Sequence, residues 1–219
     1  MLISLVKKDI LLVKKYMLVM MIITIAIPIF IMWRTPEFLG FGAFLISTIF
    51  AEFMLYQYVS MTELKYPKAD ALLCATPYSR RSIVAARYIF LLLIFVYCVL
   101  AYSIVSLILP QVKLLSLSNI LAVMLISAIL FGVYTPIQYK LGYEKTKYFF
   151  SIVIVATPFM LPTLTKLWIS LDLSWLSSTP SFLWNLIMIA MIILVLGVSV
   201  ITSINIYEKR NSINKCLDL

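Results

Sequence analysis

The chain has no histidine, nine acidic residues against 18 basic ones, five glycines and three cysteines in 219 residues. The lack of histidine removes the commonest general base and the commonest metal ligand, which argues against His-based triads, binuclear metal sites and haem ligation together. Cys74, Cys98 and Cys216 lie far apart with no CxxC spacing, so they imply neither a zinc site nor a disulfide framework. No GxxxxGK(S/T) run occurs and glycine is scarce, so the chain lacks that device for cradling the phosphates of ATP. Charged residues make up 12% of the chain, where a soluble domain carries about 25%. A soluble enzyme is excluded.

What the chain does have is apolar surface: 63% of residues are hydrophobic and the mean hydropathy is +1.07. The formal charge of +9 would suit nucleic acid only if a polar surface displayed it, and a chain this apolar has little, so no nucleic-acid partner is expected. Crossing the hydrocarbon takes about 20 predominantly apolar residues. Six runs qualify, at about 16–33, 38–59, 87–109, 119–139, 147–168 and 180–207, with Pro110 closing the third. The expected fold is an all-α polytopic membrane protein, with residues 1–219 forming a single transmembrane domain and the lipid bilayer as its surroundings.

The first run is too long for a signal-peptide core and has no small-x-small cleavage site, so it reads as a permanent helix. Ahead of it, Met1 to Lys15 places Lys7, Lys8, Lys14 and Lys15 on one helical face and Leu2, Leu5, Val6, Ile10 and Val13 on the other. That is the pattern of an amphipathic interfacial helix on an anionic leaflet; a simple positive flank to the first span fits the same residues equally. With both termini cytoplasmic, fifteen basic residues fall inside and only Arg34, Lys113 and Lys166 outside. Trp33, Trp168, Trp175 and Trp184 then all lie near outer ends, as an aromatic belt requires.

The longest polar segment, Ser60 to Arg87, is mixed in charge and has internal order. Pro67 and Pro77 bracket a short helix from Lys68 to Ala75 that bears Leu72 and Leu73, and Ser79 is placed to cap a helix opening with Arg80 and Arg81. By shape this is a docking element; a solvated loop carrying ordinary positive-inside arginines is the plainer reading.

The succession Glu63, Lys65, Leu72, Leu73, Pro77, Arg80, Ile83, Val84, Ala86, Arg87 and Tyr88 resembles the first-cytoplasmic-loop signature of ABC-2 type transporter permeases. In that family a charged segment ends in a leucine pair, a Pro-x-x-Arg turn and an Ile-Val-x-x-(Arg/Lys)-Tyr run that opens the third helix. The chain is most similar to the short six-span bacterial members with no fused ATPase domain. Ala75-Thr76 stands where the pattern has Ser-Leu, and the turn is kept. The resemblance implies the membrane subunit of an exporter in the bacterial inner membrane. Two permease subunits, as a homo- or heterodimer, would work with two cytoplasmic ATPase subunits that bind Mg-ATP, this chain itself holding no cofactor and no metal. It also implies that the coupling element lies in 60–86, with Glu63, Lys65, Lys68, Asp70, Leu72, Leu73, Pro77, Arg80 and Arg81 as its ATPase-facing residues. Peptides, antibiotics or lipid-like molecules are the substrate classes associated with such permeases.

Inside the spans, Glu52 is the one acid placed well within the membrane. It reads as a proton-coupling or substrate-contact carboxylate, or as a group paired with or snorkelling towards inner-leaflet charges. Pro158 and Pro162 interrupt the fifth span and predict a kinked or broken helix near the outer mouth, where they form a possible gate; Pro28 predicts a kink in the first. Two other functions fit a six-span chain of this length: the substrate-capture module of an energy-coupling uptake system, and a proton-coupled secondary transporter using Glu52. The former docks through small-residue patches that the first span lacks, and the latter tends to show matching broken helices in its two halves.

Overall fold

The structure is a computed structural model, and it describes residues 2–34, 39–66, 79–109, 112, 114–148, 151–152, 156 and 181–217. Five long helices make up most of it: α1 (Leu2–Arg34), α2 (Phe41–Lys65), α3 (Arg80–Ile108), α4 (Leu117–Leu141) and α5 (Ser181–Leu217). Each is long and apolar enough to cross a membrane. The expected fifth span, 147–168, lies almost wholly outside the described residues, and Pro158 and Pro162 with it.

The helix boundaries follow from local chemistry. Gly40 precedes α2 with φ +98, a conformation costly for any residue with a Cβ, and its carbonyl accepts the first bond of the helix from the Phe44 N–H. Ser79 caps α3 as its spacing predicts: its hydroxyl accepts from the Ser82 N–H at 3.2 Å. Ser116 does the same for α4 through the Asn119 N–H. α4 closes at Gly142, where φ is +84 and the N–H donates back to Gln138. α3 stops at Ile108, just short of Pro110.

Three boundaries differ from the sequence reading, the simplest being that of α5, which runs on to Leu217 where the apolar run ends at about 207. α2 continues past residue 59 to Lys65, so Ser60 to Lys65 are helix rather than loop, and the connection to α3 is correspondingly shorter. α1 runs unbroken from Leu2 through Pro28 to Arg34, because no breaker separates the basic lead-in from the apolar span. A helix of that length extends about 50 Å, well beyond the hydrocarbon, so its first turns emerge from the membrane. The apolar face of those turns is taken up by protein: Leu5 and Val6 are buried against Ala86, flanked by Ile83 and Ile89 of α3. The surface expected to lie on lipid is thus engaged by α3.

α2 is the least apolar of the five spans and the most enclosed, with 72% of its most apolar stretch buried, against 17% for α1 and 22% for α5. The two facts have one cause, since a helix shielded from lipid by α1, α3 and α4 has no need of an all-round hydrocarbon surface. Its aromatic side chains build the centre: Phe53 stacks on Phe131 at 4.4 Å between ring centroids, and Phe44 meets Tyr102 edge-on at 5.4 Å. α5 lies along α4 over its whole span. Close approach there depends on small residues, as it does for helices in lipid generally. The Ser199 hydroxyl donates to the Gly132 carbonyl at 3.0 Å and sits 2.6 Å from the Tyr88 hydroxyl of α3, which also lies 2.9 Å from Ser203.

A Cβ at Gly132 would meet Val195 Cγ1 at 3.3 Å, whereas Gly197 has open space around it. Gly132→Leu is therefore expected to destabilise the chain by about 1–3 kcal/mol through overpacking, with Gly197→Leu neutral. Thermal unfolding of both variants in detergent micelles checks this, and equal midpoints would remove Gly132 from the α4–α5 contact.

Candidate functional site

The ends of α1, α2 and α3 meet where the α2–α3 connection leaves the bundle, and there the structure gathers four charges. On α1 the buried stripe repeats every four residues, Leu5, Asp9, Val13, so Asp9 occupies a core position. On α2 the face bearing Tyr56, Val59 and Ser60 carries Glu63 one turn further on. On α3, Arg87 lies two turns after the Ser79 cap, between the buried Ala86 and Tyr88.

The four form a neutral set, in which Arg87 Nη1 and Asp9 Oδ1 make no hydrogen bond among the described residues. Arg87 pairs with Glu63 through a terminal guanidinium nitrogen and approaches Asp9 Oδ2 with Nε at 3.7 Å. Lys8 Nζ lies 3.0 Å from Glu63 Oε1 and 3.2 Å from Asp9 Oδ1. Exposure is graded across the set: the side chains of Asp9 and Arg87 are 3% and 7% exposed, those of Glu63 and Lys8 23% and 29%. The guanidinium carbon also sits 5.7 Å from the centre of the Tyr56 ring, within reach of a cation–π contact. Three helices are thereby tied at one point, two of them by partners 55 residues apart in sequence.

Of the residues expected in the coupling element, Glu63 belongs to this cluster. Lys65 is exposed on the last turn of α2, and Arg81 is exposed in the first turn of α3, which Arg80 opens. Lys68, Asp70, Leu72, Leu73 and Pro77 lie outside the described residues. Sequence reasoning missed how the other cluster members pair: Arg87 stood in the family signature and, with Lys8, among the positive-inside residues, and Asp9 received no role. The available signal was Asp9 itself, an acid in an apolar stripe among four lysines, which calls for a cation from another element.

A second polar feature lies deeper. Glu52 on α2 is 2% exposed, and its Oε2 has no hydrogen-bond partner among the described residues. It lines a cavity of about 30 Å³ together with Tyr88, Phe95, Met124, Ser127 and Phe131, from α3 and α4. The pairing with inner-leaflet charges that the sequence left open is absent among the described residues. No group of three potential metal ligands occurs among them either.

Removing one member of a buried ionic set leaves the others uncompensated, typically at a cost of about 3–5 kcal/mol. Arg87→Met should therefore be strongly destabilising, because both acids lose their shared partner. In the Asp9→Asn/Arg87→Met background much of that loss should return. Unfolding midpoints of the two single variants and the double variant measure this, and strict additivity would show that the groups are not coupled.

Comparison with family models places the chain: it belongs to the ABC-2 transporter family, whose model, described as ABC-2 family transporter protein, matches residues 4–208. The chain is accordingly a multi-pass membrane protein and the membrane subunit of an ABC transporter, a class that works with ABC ATPase partners. Comparisons with curated proteins and with solved structures give no match.

Proposed function

We propose that this ABC-2 family membrane subunit is an export permease, moving a hydrophobic or amphipathic substrate out of the cell with energy from ATP hydrolysed by a separate subunit. Two copies would assemble with two ATPases, both termini facing the cytoplasm. The observation that carries the reading is the Glu63–Arg87 pair, which closes the root of the α2–α3 connection and is locked onto α1 by Lys8 and Asp9. A push on that connection is delivered to three transmembrane helices at once, because separating α2 from α3 leaves Glu63 and Arg87 without each other, and Lys8 and Asp9 bind both of them to α1. Rigid helices carry the displacement onward, and the aromatic contacts of α2 with α3 and α4 spread it through the bundle. In this mechanism Lys65, Lys68, Asp70, Leu72, Leu73, Pro77, Arg80 and Arg81 present the docking surface, and the chain contributes no chemistry of its own. Pro158 and Pro162 would mark a gate at the outer mouth.

A second reading, transport driven by a proton gradient, is favoured by one feature, the buried carboxyl of Glu52. It requires transport by the isolated chain without an ATPase.

The two levels of the coupling proposal separate experimentally. Lys65→Glu/Arg80→Glu, on the rim, should cut co-purification of the cognate ATPase several-fold with the fold intact, since rim charges govern encounter and register. Glu63→Gln/Arg87→Met should leave the ATPase bound but lose substrate stimulation of ATP hydrolysis. Co-purification and stimulated hydrolysis in nanodiscs read the two effects. Unchanged stimulation in the second variant would overturn the coupling role, and ATP-independent transport in a pH gradient, abolished by Glu52→Gln, would favour the second reading.

A further inference from the structure

The surroundings of Glu52 have a chemistry that the coupling machinery does not use. Thr48, one turn earlier on the same face of α2, is fully buried, with its hydroxyl against the Cys98 thiol of α3. Cys98 of α3, 1% exposed, lies beside both. Glu52 is in no ion pair among the described residues, and the four-charge cluster binds its own acids with its own cations. The cavity in front of Glu52 is walled by Tyr88, Phe95 and Phe131, with the Ser127 hydroxyl directed to its own helix, to the Met124 carbonyl. One face also includes Leu92, 39% exposed on the outer side of α3, so the cavity borders the surface that faces the bilayer.

An intramembrane carboxyl without a partner is costly, and such a residue is retained when something supplies the missing positive charge or hydrogen-bond donors. Here no cation of the protein pairs with it among the described residues, and the donors nearby are the neutral Thr48 O–H and Cys98 S–H. The cavity, of about 30 Å³, has room for a small polar group. A carboxyl surrounded by aromatic side chains at that scale matches a primary ammonium, which gains an ion pair from Glu52 and cation–π attraction from the rings. A neutral headgroup gains neither.

We propose that Glu52 is the contact for a primary ammonium group on the transported molecule, so that the permease selects cationic amphiphiles. The apolar tail stays along α3 and in the bilayer while the ammonium enters the cavity past Leu92. This deepens the export reading and rests on it for the word transported, but the binding site itself does not require an ATPase.

The test uses the full-length chain alone in nanodiscs, with a decylamine probe carrying a photoreactive diazirine beside the amine and the alcohol of the same chain as its neutral control. The amine probe should label the α3 and α4 peptides containing Phe95 and Met124 about fivefold or more above the alcohol. Unlabelled decylamine should compete, and decanol should not. Glu52→Gln should erase the difference and leave alcohol labelling unchanged, and Glu52→Asp should keep part of it. An unpaired buried carboxyl is not needed for folding, so the unfolding midpoint of Glu52→Gln should equal or exceed that of the parent. Equal labelling by amine and alcohol in the parent chain would overturn the proposal, as would an amine preference that survives Glu52→Gln. Modification of Glu52 by dicyclohexylcarbodiimide together with equal labelling by the two probes would identify a proton as the occupant and overturn it also. Failure of ATPase co-purification would sink the export reading while leaving the labelling result standing.

Discussion

Buried charge governs this molecule. Asp9 and Arg87 are almost completely removed from solvent, and neither is tolerable there without the other and without Glu63 and Lys8. The requirement acts as a geometric constraint: the first turns of α1, the last turn of α2 and the second turn of α3 must meet within ion-pair distance. Helix packing in lipid supplies no comparable selectivity, since side chains gain little by exchanging hydrocarbon for protein. The position of the basic lead-in follows from the same constraint. Lys8 and Asp9 face Glu63 and Arg87, and Leu5 and Val6 fill the space against Ala86, while Lys7, Lys14 and Lys15 stay exposed.

The rest of the bundle is arranged around α2. Along one side of it run Glu63, Tyr56 and Glu52, from the paired acid at the rim to the unpaired one about 16 Å deeper at the rise of an α-helix. α3 follows in parallel order, with Arg87 at the cluster and Tyr88 next to it, lining the Glu52 cavity and touching Ser199 and Ser203 of α5. A displacement at the cluster therefore reaches the cavity walls through adjacent residues of a single helix. The outer helices play a different part. α1 and α5 present wide apolar faces, including Leu18, Ile22, Ile193 and Leu194, as lipid-facing surfaces do, and α5 is fastened by the close approach at Gly132.

Much of this architecture is legible in the sequence, and the reason differs from element to element. The spans of α3 and α4 match because each is bounded by local signals, Ser79 and Pro110 for the one and Ser116 and Gly142 for the other, whereas α5 has none and runs on to Leu217. The extension of α2 to Lys65 was not legible, because hydropathy stops at the membrane surface and the helix does not. The continuity of α1 was missed for the opposite reason, a change in residue character at Lys15 that has no counterpart in backbone conformation. At the site, Glu63 and Glu52 stand out from sequence as an acid in a motif and an acid in a span. Arg87 stands in the same motif, Asp9 is an acid in an apolar stripe and Lys8 is one of four lysines, but nothing in the sequence shows which of them pair.

What the sequence by itself determined is what depends on composition and on near neighbours: the membrane as solvent, the helical class, five of the expected spans, and a family shared with the ABC-2 transporters over residues 4–208. What only the tertiary structure decided is which charges neutralise one another. Lys8 finds Glu63 across 55 positions and Arg87 finds it across 24, while Glu52, with the same carboxyl, is left facing a cavity. That difference is one of distance in space, because Coulombic attraction in a low-dielectric interior falls off over a few ångströms and is blind to order along the chain.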